Sequence, residues 1–188
     1  MKTRTAARRP RPPLDHKRLE ELAVRYVGRY STTRSKLRSY LARKIRERGW
    51  DDAREADLEA VAERFAELGY IDDAGYALSK AEGLSSRGYG KHRLTSQLRL
   101  AGVAEEDGRA ALGHADEEAV ATALRFAQRR RLGPYAATAA DPRTREKAIA
   151  AMVRAGHGFA LARAIAGMSP GAPVDPEELG ERAGCRPI

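Results

Sequence analysis

One cysteine, few aromatic side chains (6%) and no long apolar run exclude several classes of protein at the outset. Cys185 has no second cysteine for an internal disulfide and no neighbouring His or Cys for a metal, so a disulfide scaffold and a cysteine-based metal site are both excluded. The four histidines, His16, His92, His114 and His157, are scattered without HExxH spacing, and no GxxxxGK[ST] loop or nucleophile-elbow serine is present. The adjacent pair Asp72-Asp73 points in two directions and is explained by capping of the helix that follows it. No catalytic residue, metal site or cofactor is therefore expected, and the chain reads as a non-enzyme. No stretch approaches the ~20 apolar residues of a membrane span, and the N-terminus lacks the apolar core of a signal peptide. A cytoplasmic protein without a membrane partner is expected.

What the sequence has in abundance is Ala, Leu, Arg and Glu, side chains that lose little rotamer freedom in a helix, so the expected class is all-α. The formal net charge of +9 calls for an acidic partner, of which nucleic acid, or a protein wrapped around it, is the commonest. Lys2, Arg4, Arg8, Arg9 and Arg11 alternate with Ala, Thr and Pro, and residues 1–18 are expected to form a disordered basic arm. The folded remainder is then only mildly basic.

Apolar residues recur at spacings of three and four along nearly the whole chain after the arm. Leu19, Leu22, Ala23, Tyr26, Val27 and Tyr30 form a first stripe, with Ser31 as the expected cap of the next helix. That helix carries Leu37, Leu41 and Ile45, and a third carries Leu58, Val61, Ala62, Phe65 and Leu68. The pattern then repeats. Gly49, Gly102 and Gly156 each follow apolar residues at minus four and minus eight: Ile45 and Leu41, Leu98 and Leu94, Met152 and Ala148. The economical reading is an elongated array of three tandem three-helix repeats, 19–71, 72–115 and 116–167, followed by a flexible tail over 168–188.

Charge is segregated along these units. Residues 34–48 hold seven basic residues and one acid, whereas 51–73 hold nine acids against Arg54 and Arg64. No acid lies between Glu82 and Glu105 or between Glu118 and Asp141. Taken one by one, such cations read equally well as solvated helix faces or partners of the acidic helix beside them. As one-signed blocks they read as a surface for an anionic partner. The candidate contact residues are Arg34, Lys36, Arg38, Arg43 and Lys44; Arg87, Tyr89, Lys91, Arg93 and Arg99; and Arg125, Arg129 and Arg130. Tyr89 stands out because Gly88 and Gly90 flank it, so that the backbone can approach a partner closely; the alternative is a turn tucked between repeats.

The run Gly69-Tyr70-Ile71-Asp72-Asp73, followed by Tyr76-Ala77, Gly88, Leu94, Leu98 and Gly102-Val103, resembles the central signature of the RecX regulatory proteins. Tyr26 to Ser31, leading to Leu37-Arg38-Ser39-Tyr40-Leu41, is similar to that family's first-repeat pattern. Tyr76 replaces a more usual phenylalanine, Lys36 an acid, and Ala101 a basic residue. The likeness covers about residues 19–167 in layout, with its specific motifs in the first two repeats. It implies tandem three-helix repeats and a modulator, usually an inhibitor, of the RecA recombinase, lying in the groove of the RecA filament on single-stranded DNA. Three stacked units would span on the order of 70 Å, enough to bridge several filament subunits. The expected partners are thus the RecA filament and single- or double-stranded DNA, bound by a monomer. Two other readings remain open on the residues alone: a helix-turn-helix-like protein reading duplex DNA with the 34–48 helix, and a helical-repeat adaptor without nucleic-acid contact.

Overall fold

The computed structural model describes residues 12–184, and the described residues form ten α-helices and one short 3-10 turn. They divide into two compact units, residues up to 72 and residues from 73 onward.

In the first unit, α1 (His16–Val27), α2 (Arg34–Arg48) and α3 (Leu58–Glu67) each begin at a side-chain cap. Asp15 accepts from the Arg18 N–H at 2.8 Å, Thr33 from Lys36 at 3.1 Å and Asp57 from Ala60 at 2.9 Å, each satisfying a backbone donor that the first turn leaves unpaired. The cap of α2 is thus Thr33 rather than Ser31, because the chain leaving α1 continues for another turn through the Tyr30 N–H bond to the Tyr26 carbonyl (3.0 Å). Helix α2 packs on both α1 and α3. Leu19, Ala23, Leu37, Leu41, Ala62 and Phe65 meet in the core, as their spacing requires.

Of the residues expected in a disordered basic arm over 1–18, those from 12 to 18 belong to the fold. Leu14 is fully buried and pairs in parallel with the backbone around Trp50, through Leu14 N–H to the Gly49 carbonyl and Asp51 N–H to the Leu14 carbonyl. His16 secures the same strap: its backbone N–H and ring Nδ1 both reach Asp52 Oδ2, at 3.2 and 2.8 Å. These bonds, with the Arg54 N–H, hold the Asp52 carboxyl at a pKa of about 2. Buried Leu14, the capping Asp15, the His16–Asp52 bonds and Arg48, which donates to the Pro12 carbonyl, together bring residues 12–18 into the fold. Residues 1–11 lie outside the described residues.

The second unit contains α4 (Asp73–Ser85), α5 (Lys91–Ala101), α6 (Glu105–Glu117), α7 (Ala119–Arg130), the 3-10 turn Gly133–Tyr135, α8 (Pro142–Arg154), α9 (Phe159–Ala166) and α10 (Pro176–Ala183). Helices α4, α5 and α6 enclose Ala77, Ala81, Leu84, Leu94, Leu98 and Ala111. Phe126, Met152, Leu161 and Ile165 centre a second cluster, built from α7 to α10. Alanines interleave with the larger side chains in both. The expected boundary at 115/116 separates no compact units, since α6 and α7 lie in the same one. Gly49, Gly102 and Gly156, the sequence's register marks, follow α2, α5 and α8 with φ of 84°, 66° and 100°.

The tail expected to be flexible from 168 onward contains α10. Asp175 caps it by accepting from Glu177 N–H at 2.9 Å, Pro176 occupies the first turn, and Leu179 is buried against α9 and α7. The Asp-Pro start is the signal that also opens α8, where Asp141 accepts from Thr144. Cys185 lies outside the described residues.

Candidate functional site

The basic block of α2 is split between two faces. Arg34 and Arg38, one turn apart, meet Glu63 and Glu59, one turn apart on α3: Arg34 Nη1 lies 3.3 Å from Glu63, and Arg38 forms the companion pair with Glu59. These two cations are spent within the unit. Lys36 donates its backbone N–H to the Thr33 cap. Arg43 and Lys44 lie on the other side, and both approach the Tyr40 ring at 5.7 Å. Glu47 serves both of them, at 3.6 Å from Arg43 and 2.5 Å from Lys44.

Around Tyr40 lies an open cleft between the end of α1 and the middle of α2. Tyr26 stacks flat on Tyr40, with centroids 4.2 Å apart and planes 13° from parallel, and Tyr30 tilts against Tyr26 at 5.4 Å. Arg25, Arg29, Arg43 and Lys44 complete the rim, and no acid lines the cleft. Of these residues the sequence reading picked out only Arg43 and Lys44. The available signal was the alternation Arg25-Tyr26 and Arg29-Tyr30, aromatic and basic residues one helical turn apart, a pattern typical of surfaces that stack bases and hold phosphates.

In the second unit the Arg87-Gly88-Tyr89-Gly90 turn is held from several sides. Gly90 N–H donates to the Ala155 carbonyl at 3.0 Å and His92 N–H to the Gly156 carbonyl at 3.1 Å. A Cβ on Gly90 would collide with the Gly156 carbonyl, and one on Gly156 would lie 2.6 Å from Arg93 N. His157 is buried, 3.1 Å from the Gly88 carbonyl through Nε2, and its burial lowers its pKa below the usual 6.5 while that bond opposes the shift. The turn is thus tucked between α7, α8 and α9. Tyr89 is half-buried against both clusters of the unit, with Arg93 stacked on its ring at 4.3 Å and Arg87 at 6.0 Å.

Two candidates on α7 act as helix caps. Arg125 Nη1 donates to the Ser85 carbonyl (3.1 Å) and Nη2 to Glu118 (2.9 Å), beside a buried Ser85–Thr122 hydroxyl pair at 2.8 Å. Arg129 Nη1 donates to the Arg87 carbonyl at 2.9 Å. Both lie at the C-terminal end of α4, where the helix dipole favours positive charge. Lys91 pairs with Asp116 at 2.5 Å, Arg130 approaches Phe126 at 5.8 Å, and Arg99 is exposed in the last turn of α5. Among the described residues there is no group of three or more His, Cys, Asp and Glu able to hold a metal ion, and no helix is long and apolar enough to cross a membrane.

A helical fold of this kind, carrying cationic surfaces with tyrosines set among them, can be compared with known proteins. No model of a protein family matches the chain. The solved structure of RecX from Lactobacillus salivarius superposes with a TM-score of 0.57 over 79% of this chain and 92% of that one, at 17% identity, a likeness of fold. In sequence the chain is 32% identical over 149 residues to the regulatory protein RecX of Thermobifida fusca, covering 77% of this chain and 75% of that protein. It is 31% identical over 163 residues to the regulatory protein RecX of Myxococcus xanthus, covering 81% and 86%. With that identity sustained over most of both lengths, and the fold in agreement, the chain belongs to the RecX family of regulatory proteins.

Proposed function

We propose that this chain regulates the RecA recombinase: it binds the RecA filament on single-stranded DNA and slows its ATP hydrolysis and strand exchange. The observation that carries this reading is its similarity to regulatory protein RecX over most of its length. The chemistry is compatible with it. A chain of net charge +9 suits a partner that is itself a protein wrapped on a polyanion, and both units present cations beside tyrosines. We read it as a cytoplasmic monomer of three three-helix repeats. Duplex recognition by α2 is the weaker alternative, since Arg34 and Arg38 are engaged by Glu63 and Glu59 and would have to leave them to reach a groove.

The test is a titration of the chain into RecA hydrolysing ATP on single-stranded DNA. A saturable fall in turnover, with a parallel fall in strand exchange, is expected. Undiminished ATPase and strand exchange at an excess of the chain would overturn the reading.

A further inference from the structure

We propose that the tyrosine-lined cleft of the first unit is a direct binding site for single-stranded nucleic acid, in which an unpaired base lies against Tyr30 and its flanking phosphates against Arg29 and Arg43. This goes beyond the filament reading, which requires no contact between this chain and DNA.

Three features of the cleft point to that ligand together. Tyr26 and Tyr40 use one face each on one another, whereas Tyr30 is 54% exposed at the end of the row and offers its ring to an incoming flat group. The rim is cationic. Arg29 has no described ion pair, Arg25 has only a loose one with Glu21 at 3.6 Å, and the single carboxylate of Glu47 is divided between Arg43 and Lys44. The cleft is open, so a chain can run through it.

A free phosphate or an acidic peptide would satisfy the arginines and leave the tyrosine row in water. A base with phosphates on both sides uses both halves of the surface. The base must be unpaired, because in a duplex its faces are buried against the neighbouring pairs and a tyrosine cannot reach them.

The experiment measures binding of the full-length chain, without RecA, to a fluorescent oligothymidylate of about 16 nucleotides and to a duplex of the same length, over a range of salt. Single strand should bind more tightly than duplex. Tyr30→Ala should weaken single-strand binding by roughly five-fold or more at an unchanged salt slope, with Tyr30→Phe restoring it. Arg29→Ala with Arg43→Ala should reduce the salt slope by about two charges, while the equal loss of charge in Arg145→Ala with Lys147→Ala should leave it nearly unaltered. Tyr30 and Arg29 are exposed, so an unchanged far-ultraviolet circular dichroism spectrum establishes that the variants fold. Preference for duplex, wild-type affinity in Tyr30→Ala, or displacement of the oligonucleotide by polyglutamate at lower concentration than by unlabelled oligothymidylate would each overturn the proposal. RecA inhibition that survives in Tyr30→Ala would leave the filament reading standing without the site.

Discussion

His157 shows how one side chain links the acid stability of the second unit to its central turn. Its ring is buried between Phe126, 5.5 Å away, and the Gly88 carbonyl, with no carboxylate among these contacts to favour a charge. The folded imidazole therefore takes up a proton less readily than the unfolded one. Above about pH 6.5 both states are neutral and the residue contributes no pH dependence. Below that value the unfolded chain binds the extra proton, and stability falls as the pH falls. Urea denaturation at about pH 7.5 and about pH 5.5 should show this loss in the wild type and a smaller one in His157→Gln, which cannot titrate. An equal loss in both would place the acid sensitivity elsewhere.

Helix α4 depends at its end on side chains from α7. The chain turns away at Gly88, whose N–H closes on the Ser85 carbonyl at 2.9 Å; Arg125 adds a second donor to that carbonyl, and Arg129 donates to the carbonyl of Arg87. Replacing Arg125 by Met keeps the apolar stem and removes the donors. With the side chain 43% exposed, the charged hydrogen bond is screened, and the expected cost is about 1 kcal/mol. Arg99→Met, in an exposed last turn, should be close to neutral; thermal or urea unfolding of the two variants measures the difference.

These contacts also explain how much of the chain could be read beforehand. Helix positions, apolar stripes and the glycines after α2, α5 and α8 are local properties of spacing and were legible. Helix α10 was not, since Leu179 gives it only one buried apolar side chain. The strap at Leu14 was hidden by its proximity to the basic run, and its partners around Trp50 are 36 residues away along the chain for the His16–Asp52 bond. The division of cations between internal and outward roles was equally out of reach: Arg125 meets Ser85 across 40 positions, and nothing in the sequence distinguishes it from Arg130. The tyrosine row was visible in part, as Arg-Tyr alternation in α1, but Tyr40 joins it only through packing of α1 on α2.

At the scale of the whole molecule, each unit has an apolar core of its own: Leu14 to Ile71 in the first, and two clusters between Ala77 and Leu179 in the second. The only tryptophan, Trp50, belongs to the first. Its fluorescence should therefore follow unfolding of that unit alone, while circular dichroism follows the ten described helices of both units. Non-coincident urea midpoints are expected, and coincident ones would show that the chain unfolds as one cooperative body.

The meeting of Gly90 with Gly156 has a consequence for how this protein can vary over time. Each glycine leaves room for the other's backbone, so a first methyl at either position meets a carbonyl or an amide instead of a side chain that could swing aside. No single exchange is a small step, and the two sites can depart from glycine only if the surrounding backbone is rebuilt. Tyr89, flanked by one of these positions, is free of that restriction, because its partners are side chains. Exchange at residue 89 thus asks for side chains to repack, whereas exchange at residue 90 or 156 asks for a new backbone path.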